Sequence, residues 1–116
     1  MWCRGIRGAT VVAANTKEAI LEAADELLQE MVRANDVERD SIASVFFTTT
    51  PDINAEFPAA AARRGGWMDV PLLGMQEIDV PGSLSRCLRI LILFNTDKSP
   101  KDIVHVYLRG TGVLRQ

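Results

Sequence analysis

The stretch "NTKEAILEAADELLQEMVRAND", residues 15–36, limits the possible folds more than any other part of the chain. Ile20, Ala24, Leu27 and Met31 recur at helical spacing, and Leu21 and Leu28 widen the stripe. Glu22, Asp25, Glu26 and Glu30 fall on the other side. Asn15 or Thr16 can cap the helix, with Glu18 placed after Asn15 as in a capping box. Arg33 suits the C-terminal end, and Asn35-Asp36 terminates it. This is a packing helix, and the rest of the chain must supply the surface it packs on.

Strand-like segments fill that role. "MWCRGIRGATVV" reads as a first strand, with Cys3, Gly5, Arg7 and Ala9 on one face and Ile6, Gly8 and Thr10 on the other. "SIASVFFTTT" reads as a second, ended by Pro51-Asp52. "FPAAAARRGG" gives one or two helical turns, with Pro58 at the first position and Gly65-Gly66 as the stop. "WMDVPLLGMQEIDV" holds a third strand, where Pro71 suggests an edge or a bulge. "LSRCLRILILF" is the fourth, and "IVHVYLRGTGVLRQ" supplies the last strand and a tail. The expected class is α+β, a mixed five-stranded sheet packed on one long helix, because the elements do not alternate as in a doubly wound sheet.

At 116 residues the chain is one domain, and a lone domain of this size gains from oligomerisation. A formal charge of −2 gives no reason to expect nucleic acid as a partner. Cys3, Cys87 and the lone His105 offer no metal-ligand spacing. No apolar run approaches the roughly 20 residues that span a bilayer, and no signal peptide is visible. The simplest expectation is a soluble, cytoplasmic protein with reduced thiols.

The charged residues raise the functional question. "CLRILILF" sets Arg89 into a strand whose neighbours ask for a dry environment, and Arg7 lies in similar company. Arg89 either pairs with Glu77 or Asp79, or waits for an anionic ligand. Burying an ion pair recovers little more than its hydration cost, so repeated arginines in dry strands favour anion recognition by the guanidinium fork. Tyr107 and His105 alternate and can share a face. The GxG in "RGTGVLR" lacks the strand-to-helix setting of a phosphate loop. No nucleophile triad is recognisable, so any chemistry must run on positioning and electrostatics.

Four segments, "RGIRGAT", "TPDINAEFPAAAAR", "PLLGMQEIDVPGSLSRCLRI" and "HVYL", together resemble the small monofunctional chorismate mutases of the bacterial type. The resemblance spans almost the whole chain, in order, as a single domain over residues 1–116. It implies a homotrimer in which three sheets form a pseudo-α/β-barrel and active sites lie between neighbouring subunits. It also implies conversion of chorismate to prephenate by an intramolecular Claisen rearrangement, in aromatic amino-acid biosynthesis, without metal or other cofactor.

By the same resemblance, Arg89 is directed at the breaking ether oxygen, and Arg7 and Tyr107 bind substrate carboxylate. Glu77 accepts the ring hydroxyl proton in a hydrogen bond and faces the cationic fragment. Phe57 walls the ring from across a subunit boundary, Arg63 stands near the entrance, and Leu114 and Arg115 bring the tail to the substrate. Gly74 stands where better-known members carry a cysteine that touches the ring hydroxyl, and Ala60 replaces a lysine at the mouth. A rival expectation is a non-catalytic trimeric sensor for a small anionic metabolite, served by the same arginines. Glu77 separates the two, because a pure dicarboxylate binder gains nothing from a carboxylate in its site.

Overall fold

The computed structural model describes residues 1–115, leaving out the side chain of Arg115. Its order is β1 (Trp2–Val11), α1 (Lys17–Asn35), β2 (Ile42–Thr49), α2 (Ala59–Arg64), β3 (Leu72–Gln76), β4 (Cys87–Thr96) and β5 (Val106–Tyr107). The strands form one sheet in the order β3-β2-β4-β1-β5. β4 runs antiparallel to β1 and β2, while β3 and β5 join the sheet in parallel, so the sheet is mixed as expected. β3 is an edge strand, in keeping with Pro71 just before it.

The stripe of α1 is buried as the periodicity requires, with Ile20, Ala24, Leu27 and Met31 each at 0% exposure. It meets Ile6 from β1, Val45 and Phe47 from β2, and Leu88, Ile90, Ile92 and Phe94 from β4. At Gly8 an added Cβ would lie 2.3 Å from Met31 Sδ, so the missing side chain lets α1 approach β1. The helical layer also contains α2, whose Ala59, Ala61 and Ala62 are buried in the same core. The sheet thus packs on two helices, not on the long one alone. Arg39 closes the exit of α2, donating to the Gly65 and Gly66 carbonyls with its guanidinium over the Trp67 ring.

Two local expectations need correction. Thr16 alone caps α1, accepting from the Ala19 N–H at 3.2 Å. Asn15 instead reaches the loop before α2, where its Oδ1 accepts from the Asn54 and Ala55 N–H groups. The capping box with Glu18 is therefore absent, because a long-range contact takes the residue that would form it. At the C-terminus the strand is only Val106–Tyr107, and residues Thr111–Arg115 form a 3-10 turn. Arg109 and Gly110 take φ of 51° and 81°, which breaks the extended conformation. Thr111, at 0% exposure, donates to the Ala9 and Leu108 carbonyls and tucks this turn against β1. The GxG is thus part of a chain reversal.

Asn35 is a buried pin that periodicity did not reveal. Its Nδ2 donates to the Met31 and Val104 carbonyls, and its Oδ1 accepts from the Val104 N–H at 2.8 Å. It joins the end of α1 to the entry of β5. Asn35→Ala is expected to lower unfolding stability by about 2 kcal/mol, because Val104 loses both backbone partners. Chemical denaturation measures this, and a loss below about 0.5 kcal/mol would show that the pin is dispensable.

Candidate active site

One face of the sheet carries the helices, and the other carries the charged residues. Register explains the grouping. Thr48 of β2 pairs with Arg89 of β4, Arg89 with Ala9 of β1, and Ala9 with Tyr107 of β5. Residues on one rung project to the same face, so Thr48, Arg89 and Tyr107 stand in a row. Arg7 and Leu91 form the adjoining rung on that face. Glu77 follows β3, and its N–H donates to the Thr49 carbonyl at 2.9 Å, which extends the β2–β3 ladder just far enough to aim its side chain at Arg89.

These side chains line a cleft of about 770 Å³. Arg7, Thr48, Glu77, Arg89, Tyr107 and Leu114 all border it. A volume of this size suits a small organic ligand. Glu77 Oε2 lies 3.1 Å from Arg89 Nε and accepts a 2.7 Å hydrogen bond from Thr48 Oγ1. Arg89 therefore pairs with Glu77, the first of the alternatives posed for it, and it also borders this cleft.

Arg89 is less enclosed than its apolar neighbours suggest. Its side chain is 45% exposed in the single chain, against 17% for Glu77. The apolar run of β4 divides between two faces. Leu88, Ile90, Ile92 and Phe94 point into the core, whereas Leu91 and Leu93 remain half-buried on Arg89's side. Among the described residues nothing covers that side fully, and Leu73 and Met75 of β3 are 52% and 45% exposed.

His105, which had no assigned role, accepts the Arg7 N–H on Nδ1 at 3.0 Å and extends the β1–β5 pairing by one side chain. Cys87 is buried beside the site. Burial pushes its thiol pKa up, the Glu77 charge adds to this, and Arg89 opposes it. A thiol held protonated is a packing group, not a nucleophile. Among the described residues, no group of three or more His, Cys, Asp or Glu side chains is placed to hold a metal.

The remaining candidates lie elsewhere. Phe57 is 74% exposed in the segment leading into α2 and does not border the cleft. Arg63, within α2, is exposed and borders a small surface depression with Trp67 and Met68. Gly74 pairs with Phe47 on the rung that faces the helices, and does not border the cleft. The side chain of Arg115 lies outside the described residues. Thr48 was not singled out by sequence reasoning. It sits in a run of threonines, and only strand register shows which one meets Glu77.

Fold and cleft together define a small α+β protein with a carboxylate and two arginines converging on the open face of its sheet. Residues 3–116 match the family chorismate mutase type I. The chain is 49% identical over 113 residues to the chorismate mutase AroH of Thermus thermophilus, covering 97% of this chain and 93% of that protein. It is 41% identical over 116 residues to the chorismate mutase AroH of Bacillus subtilis, covering 99% of this chain and 91% of the relative. A solved structure of a chorismate mutase from Clostridium thermocellum superposes with a TM-score of 0.92 at 50% identity, covering 97% of this chain and 99% of that one. The chain belongs to the chorismate mutase type I family. No helix among the described residues is long and apolar enough to cross a membrane.

Proposed function

We infer that this protein converts chorismate to prephenate, as an isomerase of aromatic amino-acid biosynthesis. The observation that carries the reading is the convergence of Arg7, Glu77, Arg89 and Tyr107 on one cleft. In this rearrangement the ether C–O bond breaks and a C–C bond forms within one molecule. Bond breaking runs ahead, so negative charge gathers on the ether oxygen and positive charge on the ring fragment. The cleft offers Arg89 to the first and Glu77 to the second, and both attractions grow toward the transition state. Arg7 and Tyr107 hold the substrate carboxylates, and confinement keeps the flexible enolpyruvyl arm over the ring. Leu114 and Arg115 bring the C-terminal turn to the mouth.

We further propose that the chain acts as a single-domain homotrimer. The uncovered sheet face, with Leu73, Met75, Leu91 and Leu93, asks for a partner. Phe57 and Arg63, which lie away from the chain's own cleft, would then serve a neighbour's. Gly74, in place of the family's cysteine, also lies outside the chain's own cleft, so in a neighbour's it would offer only backbone and leave the ring hydroxyl to Glu77. With both cysteines free, the reading places the enzyme in the cytoplasm, where thiols stay reduced.

The direct test is loss of chorismate ultraviolet absorbance on adding purified protein with EDTA present, with prephenate identified as product. Rapid conversion supports the mutase; a folded oligomer that binds prephenate without converting chorismate would instead be a sensor. Glu77→Gln sharpens the distinction. Turnover is expected to fall by about 100-fold or more, whereas prephenate affinity changes by less than about threefold. Equal losses in both would remove Glu77 from the chemistry.

A further inference from the structure

The Arg89–Glu77 pair contains an unresolved tension. A guanidinium and a carboxylate left to themselves close into a two-pronged contact that occupies the fork. Arg89 with its fork so occupied has little left to offer an incoming ligand oxygen. The structure does not have that arrangement. The near contact of Glu77 is with Nε, at the side of the guanidinium, and both of its near partners meet the same oxygen, Oε2.

Thr48 accounts for this geometry. Among the described residues it supplies the one hydrogen bond that reaches the Glu77 carboxylate, at 2.7 Å. Its own position is fixed by backbone on both flanks, opposite Arg89 in β4 and Met75 in β3. As a β-branched residue in a central strand it has few rotamers, so its hydroxyl is a stiff anchor. Both partners of Glu77 are therefore mounted on adjacent strands of one sheet, while Glu77 itself follows the end of an edge strand.

We propose that Thr48 is a positioning residue for the rearrangement: by tethering Glu77 through Oε2, it leaves Oε1 to the ring hydroxyl and the fork of Arg89 to the ether oxygen. This assignment rests on the mutase reading above. Thr48 need not touch substrate, since it acts through Glu77. Without the hydroxyl, Glu77 is free to swing onto the terminal nitrogens of Arg89, and each group then neutralises the other.

Thr48→Val removes the hydroxyl with little change of shape, and Thr48→Ser keeps it. The Val variant is expected to lose about 10- to 100-fold in kcat, the range for a hydrogen bond to a charged group, with KM changed by less than about threefold. The Ser variant should recover most of the rate. A packing role would not predict the next result: in a Glu77→Gln background, Thr48→Val should cost less than about twofold more, because the group it positions is gone.

Thermal unfolding of each variant checks that the sheet is intact. A Val variant within about twofold of wild type overturns the assignment, and so does an equal loss in both backgrounds. If wild-type protein itself converts no chorismate, the mutase reading fails, and the role of Thr48 in this reaction falls with it.

Discussion

Arg89→Ala is expected to lower kcat by about 100- to 1000-fold, or about 2.7–4 kcal/mol, the range for removing one donor from a developing oxyanion. The geometry makes the loss hard to compensate. Arg89 is held on both sides by β1 and β2, opposite Ala9 and Thr48, and neither residue brings a positive charge. Arg7 lies on the adjoining rung of the same face and is committed to substrate carboxylate in this mechanism. The variant also leaves Glu77 without its cationic partner. An unbalanced carboxylate in a cleft that takes a dianionic substrate repels it, so KM should rise as well. Arg89→Lys restores charge without the planar fork, and should recover part of the rate but not all. Steady-state kinetics on the three proteins separates these effects. Near-wild-type turnover by Arg89→Ala would remove Arg89 from the transition state.

The sequence displayed α1, the strand succession and the sheet class because each rests on a local period. It showed Arg7, Glu77, Arg89 and Tyr107 through the resemblance, while composition and spacing alone left Arg89 between an ion pair and a ligand site. What it hid depends on distant partners. Asn15 and Thr16 both offer a capping oxygen, and only the position of Asn54 decides which one caps the helix. Asn35 looks like a helix terminator but is a buried link to Val104. Thr48 is one of three consecutive threonines, and a shift of one residue in register would turn it away from Glu77. The run "CLRILILF" suggested a strand dry on both faces, and the single chain buries only one of them.

That open face carries the second large prediction. Leu93 pairs with Gly5 in β1 and Ser44 in β2, lies on Arg89's side of the sheet, and does not border the cleft. In a trimer closed around these faces, Leu93→Asp places an unpaired carboxylate in the dry centre once per subunit. Each costs several kcal/mol, and symmetry applies the cost three times. The variant is expected to sediment as a monomer and to lose chorismate turnover about 1000-fold or more, because no neighbour brings Phe57 and Arg63 to the cleft. Its helical core is untouched, so helical circular dichroism should persist. A Leu93→Asp protein that stays trimeric and active would overturn the assembly. Mixing then asks whether the sites are shared. Arg89→Ala subunits keep a sound Arg63, and Arg63→Ala subunits keep a sound Arg89. If each cleft draws on two chains, co-refolded equal mixtures of the two impaired variants regain about a quarter of wild-type activity, the share of clefts whose two contributors are both intact. If each cleft belongs to one chain, the mixture shows only the average of its two parents.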